Sequence, residues 1–304
     1  MNTVNALTTS EVADFLKNDQ GVLIDTLVPE HYDARHIPGA VSACVFEVIF
    51  LDLIAEAVRD KNTPIVVYGA GGDARDITVA AEKLHRAGYA EVSTYPGGLD
   101  GWLDAGHSLD GTAPDTVEPP DPVLELEPKV YNVLPAESVL TWVGRNNNGG
   151  HTGSLELVSG QLDNTKALNA TFTLDMNSIR NSNLAGDDLQ PVLESHLKSD
   201  DFFFTKLFPE AVFMTTKICV VKDGESTRPN AMVQGVLSLR GASNEIAFPA
   251  HIRNVEDGKL ALIGNLDFDR TQWGVIYGSS RFFKHLGFHV VFDFISIDFR
   301  LVLE

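Results

Sequence analysis

The sequence predicts two domains of different class: a parallel α/β sheet first, then an antiparallel β-barrel with a short helical insertion. Three observations carry this. Up to about residue 110, apolar runs of strand length alternate with segments of helical spacing. A proline-rich, acidic stretch follows. Beyond it, apolar residues recur with a period of two.

In the first part, Thr8 and Glu11 fit a capping box that opens a helix. Val22-Leu23-Ile24-Asp25 and residues 64–68 read as buried strands, and residues 51–59 and 77–87 carry helical spacing. Val92-Ser93-Thr94-Tyr95 is a further strand, broken by Gly97-Gly98 before Leu99-Asp100-Gly101-Trp102. The strand at 64–68 runs into the loop Gly69-Ala70-Gly71-Gly72-Asp73-Ala74-Arg75-Asp76 and then a helix. That is the architecture of an anion-cradling catalytic loop, but the nucleophile's position holds Gly69.

Residues 110–129 contain Pro114, Pro119, Pro120, Pro122 and Pro128 among acidic side chains, and read as a semi-rigid linker. The domains are therefore expected at 1–112 and 130–304, with linker 113–129 and a boundary near Pro120. In the second part, Leu168, Ala170, Phe172, Leu174 and Met176 share one face of a strand. Leu260, Leu262, Gly264, Leu266 and Phe268 repeat the pattern, as do Ile295, Ile297, Phe299, Leu301 and Leu303. Lys222-Asp223-Gly224 and Asp257-Gly258 are turn signals, and a helix is expected around residues 189–197.

The chain of 304 residues is long enough for two cores. Its formal charge is −19, with 19 acidic and 7 basic side chains up to Glu118 and 23 and 16 beyond. Nucleic-acid binding is disfavoured, because phosphate contacts need clustered Lys and Arg. Electrostatic docking on anionic membranes is disfavoured for the same reason. No apolar run is long enough to span a bilayer, so an integral membrane protein is not expected. The start lacks a basic n-region with an apolar core, so no secretion signal is read. Cys44 and Cys219, one in each part, suit a reducing compartment, and the expected location is cytoplasmic.

The residues Leu23-Ile24-Asp25, Arg35-His36-Ile37-Pro38-Gly39-Ala40, the strand into Gly69, and residues 95–102 together resemble a rhodanese domain. The resemblance implies a parallel sheet wrapped by helices and a thiolate at the loop entrance, ringed by backbone N–H groups. Here that loop is degenerate, with Gly69 at its entrance and Arg75 six positions later, and no catalytic residue is assigned. Asp73 and Asp76 would oppose a bound anion. Cys44, in an apolar stretch, reads as a small buried hydrophobe. His36 reads as a hydrogen-bonding turn residue, and Trp102 as packing the last helix onto the sheet. The expectation is a non-catalytic module that meets a protein partner. On sequence alone, Gly69→Cys reads as a change that restores some turnover.

The second part resembles a YceI-type domain. The resemblance rests on Tyr131-Asn132-Val133, residues 139–144, Gly149-Gly150-His151-Thr152-Gly153, the block 196–203, residues 207–213, Val236-Leu237-Ser238-Leu239-Arg240-Gly241, and residues 268–275. It implies a lipocalin-like barrel that encloses an isoprenoid or fatty-acid-like lipid, with no other cofactor. A barrel of about eight strands has room for one slender ligand. The expected lining is Trp142, Leu168, Phe172, Leu174, Met176, Phe213, Val236, Leu262, Leu266, Phe268, Ile297 and Phe299, and a one-residue slip would reverse any strand's set. The aromatic segments 202–204 and 281–288 read either as the mouth or as the capping core. His151, His196, His285 and His289 read as loop-fixing rather than as metal ligands, and Ser199 with Asp200 and Asp201 as ordering the insertion. The function expected is a soluble binding protein for an elongated amphiphile. The alternative is a sulfurtransferase-related or phosphatase-like enzyme with a non-standard site.

Overall fold

Ile65–Tyr68 presents four consecutive buried side chains, and the first unit is built around them. The computed structural model describes residues 4–116, 123–222 and 226–304. The chain divides into two units, Met1–Pro119 and Pro120–Glu304. Asp223 and Gly224 of the expected turn, and residues 117–122 around the expected boundary, lie outside the described residues.

The first unit runs β1 (Asn5–Ala6), α1 (Thr9–Lys17), β2 (Val22–Asp25), α2 (Pro29–Ala34), β3 (Val41–Ser42), α3 (Phe50–Ala57), β4 (Ile65–Tyr68), α4 (Asp76–Arg86), β5 (Val92–Tyr95) and α5 (Gly98–Asp104). The strands pair in parallel in the order β1-β5-β4-β2-β3. Successive strand side chains point to opposite faces. Ile65 and Val67 thus join one core with Ile54 and Leu84, while Val66 and Tyr68 join another with Val12 and Trp102. Helices cover both faces, as a parallel sheet requires. Thr8 and Glu11 do form the capping box that starts α1. His36 lies stacked on Tyr32 and bonds its carbonyl through Nδ1 at 2.7 Å.

The second unit runs β6 (Val130–Asn132), β7 (Val139–Asn146), β8 (Gly149–Asp163), β9 (Asn169–Asn181), α6 (Leu189–Lys198), β10 (Glu210–Val220), β11 (Ala231–Leu239), β12 (Ala242–Asn254), β13 (Leu260–Asp269) and β14 (Phe294–Leu303). Strands β7 to β14 pair antiparallel around a closed ring of eight. The circuit closes where β8 meets β9 and β14 meets β7. Closure leaves no sheet edge to aggregate. The short β6 adds to the far end of β8.

The two ends of the barrel differ. At one end Tyr131, Leu162, Leu260 and Leu303 are almost fully buried and form an apolar plug. Part of the stretch read as linker belongs to this end. Leu124 is buried in the same cluster, and Glu125 exchanges two hydrogen bonds of 2.8 Å with the Asn254 side chain. At the other end lie α6, the turn Phe202–Phe208 and the long connection between β13 and β14.

The plug side chains are almost completely buried. Leu260→Ala should lower stability by about 2–5 kcal/mol, through lost burial and the void left behind. The measurement is the shift of the barrel's denaturant midpoint, and an unchanged midpoint would show that this end is not packed as described.

Candidate ligand-binding cavity

Alternation points one set of side chains from each strand into the barrel, yet many of them are not fully buried. Leu174, Phe213, Ile297 and Phe299 face inward and remain only half-buried. The space they face is a cavity of about 230 Å³. It is larger than the ~150 Å³ apolar cavity that takes up a benzene. Its walls are almost wholly apolar. The exceptions, Arg145, Asn146, His151 and Arg270, sit towards the end that carries α6, and Thr215 lies deeper. Phe292 lines the cavity and is itself exposed, so the space reaches the surface there.

Glycines shape this space. Gly153 pairs with Trp142, Gly160 with Phe172, and Gly264 with Phe299 across neighbouring strands. A Cβ on Gly153 would lie 2.5 Å from the Trp142 ring, on Gly160 2.4 Å from Phe172, and on Gly264 2.7 Å from Phe299. Gly235, which pairs with Thr215, lies diagonally beside Phe213, whose ring its Cβ would meet at 2.6 Å. Each ring therefore lies over a bare stretch of wall. Phe248 sits between Phe213 and Phe299, with ring centroids 5.6 and 5.7 Å away.

Ten of the expected lining residues border the cavity: Trp142, Phe172, Leu174, Met176, Phe213, Leu262, Leu266, Phe268, Ile297 and Phe299. Two do not. Val236 shares the outer face of β11 with Ser238, whose hydroxyl bonds that of Ser243, while Val233, Leu237 and Leu239 turn inward. This is the one-residue slip that period-two patterns allow. Leu168 precedes β9 and packs against the plug instead. The reading of sequence passed over Leu155, Ile246 and Phe248. Ile246, Phe248 and Ile252 alternate along β12, so the signal was present.

Of the two aromatic segments, Phe202 and Phe203 border the cavity, whereas Phe282, Phe283 and Phe288 are exposed. The helix α6 covers the same end, contributing Leu193 and Leu197. A buried carboxylate holds it. Glu194 Oε1 accepts from the Asn181 backbone N–H at 2.9 Å, and Oε2 from Arg180 Nη1 at 3.1 Å. The Asn181 hydrogen bond and Arg180 hold the carboxyl below the usual glutamate range. Trp142 Nε1 is a buried donor without an acceptor.

The polar residues singled out earlier are occupied structurally. Ser199 donates to the His196 carbonyl at 2.7 Å, and His196 bonds Asp201 at 3.1 Å. His151 lies 3.5 Å from the Asn183 amide, and His289 lies 3.4 Å from the Tyr277 hydroxyl. His285 takes a left-handed backbone at φ 60°. Among the described residues, no group of three or more His, Cys, Asp or Glu side chains could hold a metal ion.

In the first unit, the loop after β4 is closed upon itself. A Cβ at Gly69 would lie 1.7 Å from Asp76 Oδ2. Asp76 opens α4 and is buried. It accepts from the Ile77 N–H at 2.9 Å and the Thr26 hydroxyl at 3.4 Å. The carboxylate thus fills the space into which a side chain at position 69 would project. Arg75 is exposed, and Cys44 is buried between Ala43 and Val45.

Residues 131–303 match the YceI-like domain model, and residues 8–105 match the rhodanese-like domain model. The thiosulfate sulfurtransferase PspE of Escherichia coli is 41% identical over 76 residues, which cover 25% of this chain and 68% of the relative. The UPF0312 protein SAR2769 of Staphylococcus aureus is 33% identical over 129 residues, covering 40% of this chain and 66% of its own. Among solved structures, a polyisoprenoid binding domain from Saccharophagus degradans is similar at TM-score 0.43 and 18% identity, covering 57% of this chain and 97% of that one. BcnA of Burkholderia cenocepacia is similar at TM-score 0.42 and 22% identity, covering 56% and 98%.

Two outcomes are expected from this geometry. Gly69→Cys alone should give no turnover of thiosulfate with cyanide, because its Cβ collides with Asp76. A single variant that turns over would show that the Asp76 carboxylate had swung aside to relieve the collision. Glu194→Gln should loosen α6 by about 1 kcal/mol or more at neutral pH. Because the folded carboxyl titrates below its unfolded value, that contribution is present above the ordinary carboxylate range and is lost as pH falls through the lowered value. Hydrogen exchange across α6 should therefore separate native and variant at neutral pH and converge in acid.

Proposed function

Since the chain belongs to the YceI-like domain family, with a rhodanese-like domain ahead of the barrel, we propose that it carries one elongated amphiphilic lipid of isoprenoid type in the barrel. The observation that supports this is the hollow interior: about 230 Å³, walled by apolar side chains that no protein atoms cover. Filling such space removes apolar surface from water on both partners, worth about 0.8 kcal/mol per CH₂. Ordering a flexible chain offsets part of this, and large ligands retain about 0.3 kcal/mol per atom. A slender chain of several isoprene units meets the shape better than a bulky polycycle. The polar residues gathered at the α6 end suit a headgroup left near the surface.

The rhodanese-like unit is proposed as a non-catalytic partner module. Persulfide transfer needs a thiolate at the loop entrance, and Gly69 supplies none. The buried Asp76 carboxylate stands in that space and would repel an incoming sulfur-bearing anion. Turnover by the native protein that survives Cys44→Ser would overturn this half of the reading.

Organic extraction of the purified protein, followed by mass spectrometry, should recover a prenyl lipid or similar amphiphile in near-stoichiometric amount. Gly264→Leu should displace the Phe299 ring into the lumen and cut the recovered lipid by about tenfold, equivalent to ~1.4 kcal/mol. Empty native protein that also takes up no added prenyl alcohol would defeat the proposal.

A further inference from the structure

The connection between β13 and β14 carries more exposed aromatic surface than any single contact inside the barrel explains. Phe282, Phe283, Phe288, Phe292 and Phe294 are 51%, 42%, 91%, 44% and 57% exposed. One exposed phenylalanine needs no explanation, but five within thirteen residues mark a surface that another apolar phase covers.

The segment is held, not slack. Arg270 is almost fully buried. Its Nε donates to the Phe292 carbonyl at 3.0 Å, Nη1 to Val275 at 2.5 Å, and Nη2 to Tyr277 and Val291 at 2.8 and 3.1 Å. Arg281 bonds Asp269 at 2.7 Å across the base of the loop. A short 3₁₀ turn, Gly287–His289, carries Phe288 outward at its middle. The rings are thus presented to solvent by a framework that is itself satisfied.

Two features identify the covering phase. Between Arg270 and Phe294 the one acidic residue is Asp293, which faces the Arg270 and Arg281 guanidinium groups, in a chain of net charge −19. Arg281 is paired with Asp269, so Lys284 is the exposed cation set among the phenylalanines, with His285 and His289 beside it. The surface is also continuous with the lumen, because Val291 and Phe292 belong to both the segment and the cavity wall. We propose that this loop docks on an anionic bilayer surface. The phenylalanine rings enter the boundary between headgroups and acyl chains, and the cavity mouth is set on the leaflet. An amphiphile then passes between bilayer and barrel without crossing water. The acidic remainder of the chain is repelled by the same surface, which fixes the orientation. The purpose of docking rests on the carrier reading, but docking itself is measured separately.

The experiment is co-sedimentation of the full chain with vesicles of phosphatidylcholine, with and without phosphatidylglycerol. The native chain should sediment with the mixed vesicles, and less so as salt screens the contact. Combining Phe282→Ser with Phe288→Ser should lower the partition by about tenfold or more. Lys284→Glu should lower it by roughly fivefold, and on mixed vesicles only. These side chains are exposed, so both variants should fold and retain extractable lipid like the native chain. Docking without any extractable lipid would uphold this surface and count against the carrier reading alone. Failure of the native chain to sediment with mixed vesicles at low salt, as expected if the loop meets a protein instead, would overturn the proposal. So would native-like sedimentation of the double phenylalanine variant.

Discussion

The interior of this barrel depends on a steric exchange between glycine and aromatic rings on neighbouring strands. An eight-stranded barrel is just wide enough to be filled by its own side chains. Trp142, Phe172, Phe213 and Phe299 would do so if each ring stood across the lumen. Each instead lies over a glycine, in space that even a methyl group would contest. The arrangement removes four side chains and lays four large ones against the wall. It keeps the walls apolar and the centre empty. Half-buried inward-facing leucines and isoleucines are the consequence, since they have a wall behind them and nothing in front.

A hollow barrel needs different chemistry at its two ends. The plug around Leu260 and Leu303 is apolar packing, which is non-directional and fills whatever space it is given. The same solution at the α6 end would close the cavity. There the apolar packing of Leu197, Phe202, Trp273 and Val275 is joined by hydrogen bonds from buried charged groups to backbone. Glu194 fastens α6 to the end of β9, and Arg270 gathers four carbonyls along the connection to β14. Burial pulls the Arg270 guanidinium down from its usual value, while Asp293 and Asp269 favour the charge. Directional contacts of this kind fix a loop in place without filling the space beneath it. A buried charge is costly to leave unpaired, so the geometry is also strongly specified.

Much of this was legible in the sequence, and the failures have physical causes. The switch from strand–helix alternation to period two separates the units, and the alternating sets of β9, β13 and β14 give most of the lining directly. Val236 failed although Gln234 and Ser238 mark its face of β11 as the polar one, opposite Val233, Leu237 and Leu239. Along β12, the alternation of Ile246, Phe248 and Ile252 is interrupted on the outer face by Pro249, which argues against a central strand. The structure accommodates it because pairing with β13 begins only at Ala250. The exposed ring cluster at 282–288 was visible as composition. Its position outside the cavity depends on Arg270, whose partners are carbonyls and leave no trace in a sequence pattern.

The loop after β4 makes the same point about space as the barrel does. Read as a sequence, Gly69 is the absence of a nucleophile. In the fold it is half of a pair, because the Asp76 carboxylate reaches back from the first turn of α4 into the volume a side chain at 69 would need. A sulfur-bearing residue at 69 and an inward carboxylate at 76 exclude one another. The Ile77 N–H donates to an anion the chain supplies itself, while the Thr26 hydroxyl, also beside that carboxylate, has its closer acceptor in the Tyr68 carbonyl at 2.9 Å.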